Sequence, residues 1–151
     1  MSNDCSSAGL ADCVYYVAAS VDGFIAGPNG SMDWLKPFED GTDYGYEQFL
    51  RGVGTVVMGR KTFEDSIRLG GGVWPYPGKA APISSTASGG LGVGGAEVVG
   101  GAGGGAGGAG RPSVWVVGGG GLAWQLVRGG CMTRLVMSVI PVVLGGGIPL
   151  F

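Results

Sequence analysis

Val114-Trp115-Val116-Val117-Gly118-Gly119-Gly120-Gly121-Leu122-Ala123-Trp124-Gln125-Leu126 is the stretch whose reading decides the fold. Its first four residues are β-branched or aromatic, which suits a buried strand. Four glycines interrupt that strand, and Leu122, Ala123, Gln125, Leu126 and Val127 then read as a helix. A strand that stops at glycine and restarts as a helix leaves unpaired N–H groups facing the break. Those donors, together with the helix dipole, attract phosphate. Taken alone the stretch also reads as a tight turn, because 35 of the 151 residues are Gly.

The same pattern recurs upstream. Val14-Tyr15-Tyr16-Val17-Ala18-Ala19-Ser20 reads as a strand that runs into Val21-Asp22-Gly23-Phe24-Ile25-Ala26 and the turn Gly27-Pro28-Asn29-Gly30. Tyr44 to Arg51 reads as a helix with Tyr46, Phe49 and Leu50 on its apolar side. Thr55-Val56-Val57-Met58-Gly59 is a second strand, and Arg60-Lys61-Thr62-Phe63-Glu64 opens a second helix with Glu64 expected in its first turn. Ala80 to Ser84 is a third strand, irregular or at an edge because of Pro82. Leu135-Val136-Met137-Ser138-Val139-Ile140 is a further one. Strands alternating with helices, each junction marked by glycine, indicate an α/β domain with ligands at the strand C-termini.

Composition narrows the function classes. The chain has the length of one domain, is 45% apolar and only 13% charged, and carries a formal charge of −2 with no basic run. That balance offers no nucleic-acid surface. The longest apolar stretch, residues 135–144, is too short to span a bilayer, so no membrane is expected as a partner. Neither a basic n-region nor a long apolar segment opens the chain. Cys5, Cys13 and Cys131 lack CxxC spacing and fit free thiols in a reducing, cytoplasmic compartment. There is no His, which removes Ser–His, Cys–His and His-ligated metal chemistry and leaves no metal site in the reading. A cofactor that carries the hard chemistry fits better. Residues 1–12 read as a disordered tail and 13–151 as a single domain. Within it, thirteen glycines crowd residues 89–110; residues 96–99 form one short strand there, and 100–110 is a flexible loop.

The order Ala18-Ala19-Ser20-Val21-Asp22-Gly23-Phe24-Ile25-Ala26, Asp33-Trp34, Val57-Met58-Gly59-Arg60-Lys61-Thr62-Phe63-Glu64, Pro77-Gly78-Lys79 and Val117-Gly118-Gly119-Gly120 resembles dihydrofolate reductases. The closing Pro141-Val142-Val143-Leu144-Gly145-Gly146-Gly147-Ile148-Pro149-Leu150-Phe151 is more similar to a neighbouring branch. That branch holds the reductase domain of bacterial riboflavin-biosynthesis deaminase–reductases and its stand-alone relatives. The likeness spans residues 14–151 and is weakest over 89–110.

The resemblance implies a three-layer α/β fold with a central, mostly parallel sheet that binds NADPH across two glycine junctions. Gly59, Arg60, Lys61 and Thr62 would meet one part of the cofactor's phosphates. Gly118, Gly119, Gly120, Gly121 and Leu122 would meet the pyrophosphate from the other side, and Ser84 and Ser85 match a cofactor-contacting pair. Arg60 and Lys61 could add charge-assisted bonds to the 2′-phosphate, or simply start a solvated helix. Ala18 and Ile25 match positions that hold the nicotinamide carboxamide. The 22–34 loop would cover the ring and exclude water, with Trp34 either part of that cover or a core residue. Asp22 and Ser138 are the expected substrate-side residues.

The proton donor is open among Asp33, Glu39, Asp40 and Asp43, with Asp33 favoured; a buried carboxyl with a raised pKa would suit the task, and water could also serve. The implied activity is hydride transfer to a pteridine-like or 5-amino-6-(5-phosphoribosylamino)uracil-like heterocycle, the alternative being a non-catalytic or degenerate, truncated nucleotide-binding module. Three departures bear on that choice. Thr133-Arg134 stands where relatives carry an acidic pair, Gly54 stands where an Asp is common, and an Arg near Ser84 is missing. Relatives also continue past Phe151 into a β-hairpin. If this is the whole chain, the strand along 135–140 has an open edge, which predicts reduced stability, aggregation or edge-to-edge pairing, and a homodimer is expected.

Overall fold

The computed structural model describes residues 11–81, 83–84 and 112–151. Residues 1–10 of the expected tail, Pro82, Ser85, the 96–99 strand and the 100–110 loop lie outside the described residues. Asp12 is tied to the domain, its carbonyl accepting the Val114 N–H at 2.7 Å.

In chain order the elements are β1 (Cys13–Ser20), β2 (Phe24–Ala26), a 3-10 turn (Asp33–Phe38), α1 (Tyr46–Arg51), β3 (Val53–Gly59), α2 (Arg60–Leu69), β4 (Ile83–Ser84), β5 (Ser113–Gly118), α3 (Gly120–Arg128), β6 (Arg134–Ile140) and β7 (Ile148–Pro149). Five strands form one sheet in the order β4-β3-β5-β1-β6, and every pairing in it is parallel. The fold is therefore the expected α/β class, with a central parallel sheet and helices on its faces. β1 lies inside the sheet, paired through seven residues to β6 from Val14↔Arg134 to Ser20↔Ile140. Its β-branched and aromatic residues suit a strand covered on both faces.

Those faces carry two cores. On one, Val53, Val56, Met58, Ala81 and Trp115 are buried beneath Tyr16, Tyr46, Phe49 and Tyr76. Tyr16 stacks on Phe49 at 4.4 Å between ring centroids, which fastens α1 to β1. On the other, Tyr15 and Val116 pack against Leu122 and Ala123 of α3. Burial pushes the Tyr15 hydroxyl up to about 12, because the phenolate would lose its hydration.

Three local readings change. Glu64 falls outside the first turn of α2, which holds no acid, because the helix already starts at Arg60. The third strand shrinks to Ile83–Ser84, preceded by a single bridge from Ala80 to Thr55. Phe24–Ala26 is more than loop: it pairs antiparallel with Ile148–Pro149 in a separate two-stranded ribbon. β6 is an edge strand of the sheet, with Leu135, Met137 and Val139 at 42%, 42% and 54% exposure. Among the described residues no helix is long and apolar enough to cross a membrane.

Candidate functional site

Two strand–glycine–helix junctions stand side by side at the C-terminal edge of the sheet. β3 ends at Gly59, which is extended at φ −75°, ψ 160° and precedes α2 with no side-chain cap. β5 ends at Gly118. Gly119, at φ +92° and ψ 105°, then turns the chain into α3, again with no side-chain cap. Met58 pairs with Gly118 across the two strands. A Cβ on Gly118 would stand 3.0 Å from Thr62 Cγ2 and 3.4 Å from its Oγ1, so the second junction closes against the first turn of α2. Each helix therefore presents first-turn N–H groups that no side chain of its own cap satisfies.

The four glycines differ in what surrounds them. Gly118 faces Thr62, and Gly121 has open space within 4 Å. A Cβ on Gly120 would lie 2.5 Å from the Pro149 carbonyl oxygen and 3.1 Å from that of Leu150. The Gly119 carbonyl accepts both the Leu122 and Ala123 N–H groups at 3.0 Å and so anchors α3. Leu122 itself points into the core at 8% exposure, so only its backbone borders the junction. Ser84 pairs with Gly59, next to the start of α2.

The two cations that open α2, Arg60 and Lys61, are not equivalent. Lys61 Nζ lies 3.3 Å from Asp65, which also pairs with Arg68 at 3.0 Å. The Arg68 and Lys61 hydrogen bonds hold the Asp65 carboxyl below the usual range. Arg60 makes no ion pair with any described residue. The 22–34 loop reaches this corner, for a Cβ on Gly30 would stand 3.5 Å from Lys61 Nζ and 3.9 Å from Ile148 Cδ1.

The remaining candidates lie on β1, β6 and the 22–34 loop. Ala18 on β1 is the register partner of Ser138 on β6, and Ser138 is exposed. Ile25 lies in β2, half-buried. Trp34 is the second residue of the 3-10 turn, its Nε1 buried with no hydrogen-bond partner among the described residues, which is costly unless something accepts that N–H. Asp22 accepts the Leu144 N–H at 3.1 Å and the Gly145 N–H at 2.8 Å.

Asp33 is bonded by Ser31 Oγ at 2.9 Å and paired with Lys36 at 2.6 Å, with 73% of its side chain exposed. The Lys36 and Ser31 contacts hold its carboxyl below the ordinary range. That is the opposite of the buried, raised carboxyl expected of a proton donor, because both partners favour the charged form. Glu39, Asp40 and Asp43 are also exposed, and the Tyr44 hydroxyl at 2.7 Å holds Asp40 low as well.

Sequence reasoning missed Ser20 and the closing segment as parts of this region. Ser20 is 3% exposed and its Oγ accepts the Phe24 N–H at 2.9 Å. The signals were there: Phe24-Ile25-Ala26 is short and apolar, and Gly145-Gly146-Gly147 precedes Ile148 as a turn precedes a strand.

No model of a known protein family matches the chain. It is 34% identical over 142 residues to the uncharacterized protein YwjB of Bacillus subtilis, covering 91% of this chain and 81% of that one. A shorter likeness, 40% over 50 residues, links it to the uncharacterized protein YyaP of the same organism and covers 32% of this chain and 24% of that protein. Among solved structures, the "Putative riboflavin biosynthesis protein" of Shewanella sp. PV-4 superposes with a TM-score of 0.67 at 28% identity. That match covers 94% of this chain and 83% of the other. The chain belongs to the YwjB family.

Proposed function

We propose that this member of the YwjB family is an NADPH-dependent reductase acting on a pteridine-like or 5-amino-6-(5-phosphoribosylamino)uracil-like heterocycle. The observation that carries the reading is the pair of uncapped helix N-termini brought together where Gly118 meets Thr62. Two such termini favour an extended anion such as a dinucleotide pyrophosphate. The likeness to a protein named for riboflavin biosynthesis agrees with the substrate class. The reading extends to a cytoplasmic enzyme, which the absence of CxxC spacing favours.

The residues present fit the cofactor. Gly59, Arg60, Lys61 and Thr62 would hold phosphate oxygens from the α2 side, and Gly118, Gly119 and Gly121 from the α3 side, where glycine allows close backbone approach. Arg60, which makes no ion pair with any described residue, is the better reader of a 2′-phosphate than Lys61, which Asp65 already neutralises in part. Ala18 and Ile25 would hold the carboxamide, Trp34 would donate its buried N–H inside the site, and Ser138, beside Ala18, would face the substrate. When bound, NADPH supplies the hydride, and the chain's work is to orient donor and acceptor and exclude water. With Asp33 held ionised and exposed, the proton is delivered by solvent water.

Fluorescence titration with NADPH and NADH tests this. Saturable binding with NADPH preferred is the expected result, and no binding of either at millimolar concentration would overturn it. The exposed acids also favour a second reading, a nucleotide-binding module without catalysis. Cofactor binding with no turnover of any pterin or aminouracil would support that one.

A further inference from the structure

We propose that Asp22 is a positioning residue: its carboxylate fastens the 22–34 loop to the 142–150 strap and, through the strap, to the first turn of α3. The fastening stands on contacts within the chain, whereas its consequence for NADPH rests on the function proposed above.

The strap is tied to the loop along its length. Val21 N–H donates to Val142 O at 3.0 Å and Leu150 N–H to Gly23 O at 2.9 Å. Phe24 pairs with Pro149 and Ala26 with Ile148. Between these ends the Asp22 carboxylate meets two successive N–H groups, Oδ1 taking that of Leu144 and Oδ2 that of Gly145. Gly145 has φ +72°, the left-handed conformation that turns successive N–H groups toward one anion. The Ser20 hydroxyl is the largest of the contacts that hold the Asp22 carboxyl below its usual range, followed by the Gly145 and Leu144 N–H groups. A carboxylate suits this place because it only accepts, and offers an oxygen to each donor.

The other side of the strap faces the cofactor corner. The Pro149 and Leu150 carbonyls occupy the space where a Gly120 side chain would stand, and the Tyr15 hydroxyl donates to Leu150 O at 3.3 Å. Ile148 Cδ1 lies beside Gly30, whose own neighbour is Lys61 Nζ. Loop, strap and both helix starts thus form one contiguous body. A residue that holds two parts of it together acts on ligand affinity without touching the ligand.

The test compares wild type with Asp22→Ala and Asp22→Asn by amide hydrogen exchange and by NADPH titration without substrate. In Asp22→Ala the Leu144, Gly145 and Leu150 amides exchange about tenfold faster or more, while those of β3 and β5 keep their protection. NADPH affinity falls about tenfold. Asp22→Asn, which retains one accepting oxygen, falls between, and it replaces Asp22→Ala if the latter does not fold. Unchanged exchange at Leu144 and Gly145 overturns the proposal. So does faster exchange with NADPH affinity unaltered and only the KM of the substrate raised, which would make Asp22 a substrate contact. If wild type binds no NADPH, the proposed function fails, and the exchange comparison still decides the fastening.

Discussion

Gly119→Ala isolates what the turn conformation of the second junction is worth. Gly119 sits at φ +92°, ψ 105°, outside the wells open to residues with a Cβ. The added methyl would meet nothing closer than Leu122 Cβ at 3.9 Å, so crowding contributes little and the cost is in the backbone. Holding an L-residue in such a region costs about 1–3 kcal/mol. At about 2–4 °C per kcal/mol for a chain of this length, the melting temperature falls by roughly 2–12 °C. If the backbone relaxes instead, the Gly119 carbonyl turns away from the Leu122 and Ala123 N–H groups it now accepts. The first turn of α3 then shifts, and NADPH affinity drops by roughly 5–150-fold, the same energy expressed in binding. The assay is thermal unfolding beside NADPH titration. Gly121→Ala serves as the control in the thermal arm: Gly121 has open space and lies inside the helix, where Ala is favoured by about 0.5–1 kcal/mol. A Gly119→Ala protein that melts with wild type and binds NADPH equally well refutes the reasoning.

Three other outcomes follow from the same geometry. Gly120→Ala places a methyl against the Pro149 carbonyl, which should cost about 1–3 kcal/mol and loosen the strap, read as faster proteolysis near residue 148 and a lower melting temperature. Arg60→Ala should weaken NADPH by about tenfold and NADH little, whereas Lys61→Ala, whose charge is shared with Asp65, should act less; equal losses for both cofactors would remove Arg60 from the 2′-phosphate. Tyr15 and Tyr76 are both pushed up to about 12, chiefly by burial. Unfolded tyrosines release their protons near pH 10 while these still hold theirs, so stability is full below pH 10 and declines as pH rises toward 12. Tyrosinate absorbance should therefore rise together with the loss of tertiary circular dichroism over that window, and titration of all tyrosines in a fully folded protein would contradict the burial argument.

The α/β class was legible in the chain because parallel strands buried on both faces are written as continuous β-branched and aromatic runs, and glycine marks where each gives way to a helix. Tyr15, Val56, Met58, Trp115 and Val116, all buried, belong to such runs. Both glycine junctions were legible for the same reason. Other features turned on which side chains meet within a turn or two, which residue type alone does not settle. Arg60 and Lys61 look alike in sequence, and only the helix turn that brings Asp65 to Lys61 separates them. Asp33 was favoured among four acids as the proton donor, yet Lys36 and Ser31 keep it charged.

By itself, then, the sequence determined the parallel sheet, its strands and the two places where a helix begins at glycine, since hydrophobic period and glycine conformation act over a few neighbouring residues. Which of those glycines packs against the chain and which has open space beside it was decided only by tertiary structure. Gly118 and Gly120 are identical in the run of four, but one meets Thr62 across the sheet and the other the carbonyls of Pro149 and Leu150. A Cβ would be crowded at Gly118 and excluded at Gly120 by atoms dozens of residues away, and no local pattern carries that information.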